Sequence, residues 1–231
     1  YLRKCLRKHF LSEAFLFLML KISRISITVF SVIAASILFS KNVHASTLDL
    51  LGVGWNKSEV TVFIKSAQAV TSQAVSDVKT AIDYWNTALD NLNAALQSGE
   101  KVPTLVLTND KRADIIIQMK VGGGMVLGSA LPKTASPFSC SLESVSIQLS
   151  GKAFGQKFSD AGARNVARRE LGHALGLGHC NDPDDLMSAA AESSEVFGDV
   201  EVSISDCDIK GIDAIYPLPN LCAIPGSVTC P

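Results

Sequence analysis

Histidine is scarce in this chain. Its 231 residues hold four, His9, His44, His173 and His179, so beyond position 45 only the last two can offer an imidazole. The six cysteines show no C-x-x-C spacing, which argues against a thioredoxin-like redox centre or an all-cysteine zinc site. No fixed-period repeat and no low-complexity tract is present, so a solenoid is not expected. The longest apolar stretch, from about Ile25 to Phe39, is shorter than the roughly 20 residues of a membrane span and is broken by Ser31 and Ser36. What remains, with 47% hydrophobic residues, suffices for one substantial core and hardly for a second domain.

That apolar stretch has a different meaning. Met19 is followed by a short basic start (Lys21, Arg24), the apolar run, and Val43-His44-Ala45 with small residues at the cleavage-type positions. This pattern predicts a secretory signal that starts at Met19 and ends at Ala45, with residues 1–18 as an upstream extension and residues 46–231 as the exported domain. The alternative is an uncleaved anchor holding the protein at the cell surface. Seven of the 21 Lys/Arg and one of the 22 acidic residues lie before Ser46. The remainder therefore carries 14 against 21, a formal charge of −7. An acidic domain without a basic stripe is a poor partner for nucleic acid.

Export makes disulfides plausible for Cys140, Cys180, Cys207, Cys222 and Cys230, which allow at most two bridges. Chain proximity suggests Cys222 with Cys230 and Cys180 with Cys207, leaving Cys140 odd.

Along the domain, Val60, Val62 and Ile64 alternate with polar residues as in a half-buried strand. After Thr71-Ser72, apolar residues at Val75, Val78, Ile82, Trp85, Leu89, Leu92 and Leu96 line one face of a helix ending before Gly99. A coiled coil is the rival reading, but three heptads fit a helix laid on a sheet better. TLVLT (104–108) and ADIIIQMK (113–120) read as strands, the second with the continuous apolar run of a strand covered on both faces. Beyond Gly122-Gly123-Gly124, MVLGSALP suits an edge strand, and VSIQLS (145–150) another alternating one. A further helix starts near Ser159-Asp160 and ends at Gly176 or Gly178; a last one is capped by Ser205 and stopped by Pro217. Strand, long helix, strands, helix, loop, helix is an α+β order.

The chemistry concentrates in RRELGHALGLGH (168–179). Positions 169 and 173 project from one helix face a turn apart, the spacing by which two imidazoles reach one metal ion, and Glu170 beside them suits a general base acting on metal-bound water. Gly176 can take the left-handed conformation that turns His179 back toward His173. Position 169, however, is Arg. In isolation, His173 reads as an ordinary buried histidine and Met187 as a core filler.

Taken together, RELGHALGLGH, ADIIIQ, NDPDDLMS and SDCDIKGIDAIY resemble the catalytic domain of the matrixin-type metzincins, from about Leu50 to Tyr216. The resemblance implies a twisted, mostly parallel sheet with two long helices, a small C-terminal subdomain, and zinc-dependent endopeptidase activity on peptides or proteins by a monomer. By position, His173 and His179 match zinc ligands, Glu170 the catalytic base and Met187 the Met-turn residue; calcium is left open. Arg169 stands where the first zinc ligand belongs. No cysteine-bearing latency segment precedes the domain, so cysteine-switch control is not expected. A guanidinium stays protonated, and at about 5 Å from a divalent ion, with an effective dielectric of about 20, the repulsion is of order 7 kcal/mol. Cys180, Asp182 or Glu170 are the side chains left to stand in. Three readings follow: a secreted zinc endopeptidase impaired at Arg169, a pseudoprotease that holds peptides in the retained cleft, or an anchored surface protein in which the fold merely packs.

Overall fold

A computed structural model describes residues 45–96, 101–122, 127–189, 193–216 and 220–230. The predicted signal segment up to His44, Gly99, Gly123-Gly124, the start of MVLGSALP and Pro217 lie outside the described residues. Among those described, no helix is long and apolar enough to cross a membrane.

Branched residues build the central sheet. Strands β2 (Glu59–Ser66), β3 (Thr104–Leu107), β4 (Ile115–Lys120), β5 (Gly128–Thr134) and β6 (Leu142–Ser150) lie in the order β3-β2-β4-β6-β5. All neighbours are parallel except β5, which runs antiparallel to β6 at the edge, where Pro132 is tolerated. In-register partners Val62 with Ile115, Ile117 with Ile147 and Met119 with Leu149 place one apolar face together. That face is covered; the other is not. β4 accordingly alternates buried and half-buried residues, with Ile116 and Gln118 half-exposed, which corrects the expectation of a strand covered on both faces. A run of isoleucines records β-propensity as well as burial, so it could not tell one covered face from two.

Two long helices supply the second layer. Helix α1 (Ser72–Ala95) is capped by the Thr71 hydroxyl, which accepts from the Ala74 N–H, and buries Val78, Ala81, Ile82, Trp85 and Leu89 at the predicted spacing. Helix α2 (Asp160–Ala174) is capped by Ser159, whose hydroxyl accepts from the Gly162 N–H. The Trp85 indole N–H donates to the Arg168 carbonyl at 2.8 Å and locks the two helices together. The inter-helix seam is also ionic. Arg168, 1% exposed, is held by the Glu201 carboxylate, the Val202 carbonyl (2.6 Å) and Asn165 (3.0 Å), and its guanidinium lies over the Tyr84 ring. Arg164 bridges the buried Asp77 and Glu201.

A smaller unit closes the other end. Strands β1 (Thr47–Leu50), β9 (Leu177–Cys180) and β10 (Ser227–Thr229) form an antiparallel sheet in the order β10-β1-β9, packed on α4 (Asp206–Ile215). Residues 152–157 form a hairpin of two short strands, β7 (Lys152–Ala153) and β8 (Gln156–Lys157), and α3 (Ser193–Phe197) is a single turn. Helix α4 carries the predicted Ser205 cap as a full capping box with Asp208. The fold is α+β.

The cysteine pairing differs from expectation. Cys140 joins Cys222, Cys207 joins Cys230, and Cys180 is free and buried. The chain returns decide this: β10 pairs with β1 and delivers Cys230 to the first turn of α4, while the Gly54 N–H donates to the Cys140 carbonyl beside Leu221 and Ile215. Nearness along the chain was the wrong guide.

Candidate functional site

The carboxyl end of α2 is buried, so its last carbonyls need partners other than water. Trp55 and Tyr216 supply them: the indole N–H donates to the Ala174 carbonyl at 2.9 Å, and the phenol donates to the Leu175 carbonyl at 2.8 Å. The helix then stops at Gly176, whose φ of 101° is left-handed and whose Hα faces the Val53 carbonyl; a Cβ there would sit 2.5 Å from that oxygen. Of the two glycines considered, Gly176 makes the turn and Gly178 lies in β9, pressed against Asp49. The turn brings His179 back over α2, with its ring centroid 5.1 Å from that of His173.

The two imidazoles differ. His173 is half-buried, its Nδ1 is 2.9 Å from the Leu177 carbonyl, and burial drives its pKa down to about 4, with the Arg169 and His179 charges acting in the same direction. A neutral ring donating from Nδ1 keeps its Nε2 lone pair for another partner. His179 is exposed, and its pKa is lowered by partial burial and by Arg169.

Glu170 is 4% exposed, and its Oε2 has no hydrogen-bond partner. Burial pushes its pKa up to about 7 against the pull of Arg169. Gly128 of β5 makes room for it, since a Cβ there would fall 2.7 Å from the carboxylate. A cavity of about 180 Å³ opens beside Glu170 and Arg169, between Gly128, Leu186 and Val196. Met187, fully buried, lies under the helix against Gly172, where a Cβ would come within 2.6 Å of its sulfur.

Arg169 is built into the same wall. Its Nη1 donates to the carbonyls of Leu186 and Ser188, tying α2 to the loop that carries Met187. Burial lowers its pKa, while Glu170, Glu195 and Asp185 favour its charge. Among the described residues, only Cys180, Cys207 and Cys230 form a trio of His, Cys, Asp or Glu side chains with ligand atoms within 4.8 Å of one another, and two of these share a disulfide. The structure thus brings together His173, His179, Glu170, Met187 and Arg169, but adds no third donor from Cys180 or Asp182. A tetrahedral catalytic zinc takes three protein ligands. The donor set present is one short and faces a fixed cation, so it does not fit a tightly held zinc.

The functional contacts missed in the sequence are Trp55, Tyr216 and Gly128. Their roles come from distant parts of the chain, and only the aromatic ends with polar atoms hinted that they would seek buried partners.

A two-layer α+β domain with this helix, turn and methionine loop is a metzincin catalytic domain. The matrixin model of peptidase family M10 matches residues 54–217, and the chain belongs to that family of zinc-dependent metalloproteases. No curated protein matches the chain.

Proposed function

We propose that residues 46–231 form a secreted matrixin-type metalloendopeptidase whose turnover in this chain is crippled at position 169. The observation that carries the reading is the guanidinium of Arg169 on the helix face shared with His173, one turn before it, beside an otherwise assembled site. In such a site zinc supplies Lewis-acid activation of water, and here only His173 and His179 would hold it. Glu170, with a pKa near 7, is poised to take or give a proton at neutral pH. The cavity beside it would seat a substrate side chain, and the Oε2 of its buried carboxylate has no hydrogen-bond partner.

The test is Arg169→His. Metal analysis of the purified protein should rise from well under one zinc per chain to about one, with peptidase activity appearing alongside. Glu170→Gln in that background should keep the zinc and lose turnover. An unaltered chain that holds one zinc tightly and cleaves peptides would overturn the proposal.

One observation favours a second reading. Arg169 does not dangle; it replaces a ligand with hydrogen bonds to the Leu186 and Ser188 carbonyls, as a retained peptide-binding cleft without catalysis would require. Stoichiometric zinc without cleavage in Arg169→His would select that reading.

A further inference from the structure

At the end of α2 remote from the histidines, a cavity of about 300 Å³ opens between the first turns of α1 and α2 and the ends of β4 and β6. Its wall is largely apolar, with Val78, Met119, Leu149 and Phe158 among its lining. Lys120, Lys152 and Lys157 also line it. Two of these face each other: Lys152 and Lys157 are directly opposed in the β7–β8 hairpin, where like charges destabilise the pair. Among the described residues, neither has an acidic partner within ion-pair distance, and the Lys120 ammonium donates to the neutral Gln148 side chain at 2.6 Å. Of the two acids lining the cavity, Asp77 is taken by Arg164, so Asp160 alone offsets three ammonium groups.

The strand backbone around the cavity is already used. The Gly151 N–H donates to Lys120, the Phe158 N–H to Gly151 and the Ser150 N–H to Leu127, and β4 and β6 have neighbours on both sides. A bound peptide could not join the sheet here as a further strand, because no strand edge of that sheet is free at this wall. An alkyl chain needs none.

We propose that this cavity binds a medium-chain alkyl carboxylate, with its chain against the apolar wall and its head group between Lys152 and Lys157. The volume is about ten times the ~30 Å³ a water occupies in the liquid, room for a chain of about eight to ten carbons. The anion relieves the lysine repulsion. Its lining shares only Val166 with the cavity beside Glu170.

Calorimetric titration of octanoate into the purified full chain tests this, with octanol as the uncharged analogue. One octanoate should bind per chain, and octanol about tenfold more weakly or worse. Lys152→Gln combined with Lys157→Gln, both exposed and tolerant of change, should weaken octanoate about tenfold and leave octanol unaltered. Ala74→Phe, which fills the cavity from α1, should weaken both ligands. Absence of saturable octanoate binding, equal affinity for octanol, indifference to the lysine substitutions, or equal competition by a glutamate-rich peptide would each overturn the assignment.

Discussion

The Nδ1 of His173 lies 2.9 Å from the carbonyl of Leu177, four residues further along and on the far side of the Gly176 turn. The contact fixes the ring's orientation and tautomer together, and it exists only because the helix ends where it does. Gly176→Ala should therefore disturb both stability and site. The left-handed conformation costs an alanine about 1–2 kcal/mol, and the close Val53 oxygen adds to it, for a total loss of roughly 2–4 kcal/mol by urea unfolding. A loss below about 0.5 kcal/mol would contradict this account of the turn.

The carbonyl caps of α2 can be tested one at a time. Trp55→Phe removes the donor to Ala174 and Tyr216→Phe the donor to Leu175, each leaving a buried carbonyl unpaired. Each should cost about 1–3 kcal/mol in equilibrium unfolding. Tyr216→Phe keeps the ring, so a cost near zero there would mean water reaches the Leu175 oxygen, whereas Trp55→Phe also empties part of a buried indole's space and should cost more.

Stability should depend on pH through Asp208. Burial, with Asp185 as the next cause, pushes its carboxyl up to about 7, against an ordinary value near 4. Between those values the folded chain keeps a proton that the unfolded chain has lost. Its contribution is whole below pH about 4 and is lost as pH rises through about 7. The unfolding temperature should fall across this window, and Asp208→Asn should flatten the fall. Glu170 adds a decline of the same sign, which Glu170→Gln removes separately.

Among the five cysteines of the described residues, thiol mapping of the folded, oxidised protein should find one free. Cys180 is 2% exposed, so it should react with a thiol reagent only after denaturation, while peptide mapping recovers Cys140 with Cys222 and Cys207 with Cys230. Rapid labelling of native Cys180, or a Cys180–Cys207 peptide as the main product, would refute this arrangement.

Much of the fold was legible in short-range spacing. Thr71, Ser159 and Ser205 cap their helices as their side chains predict, and the face of α1 from Val78 to Leu89 follows from the helical repeat alone. The motif around Glu170 and His173 was legible for the same reason, since one helical turn sets which residues share a face. Long-range returns were not. The β10-β1-β9 sheet joins segments from opposite ends of the domain, and the Cys207–Cys230 disulfide follows that pairing and not the order of cysteines along the chain. Whether Gly176 or Gly178 makes the turn depended on the Val53 and Asp49 oxygens packed against them. The sequence determined by itself that a cation stands at position 169, because identity needs no coordinates. Tertiary structure alone decided where that charge goes: the loop carrying Met187 folds under α2 and presents the Leu186 and Ser188 carbonyls, the partners a buried guanidinium requires.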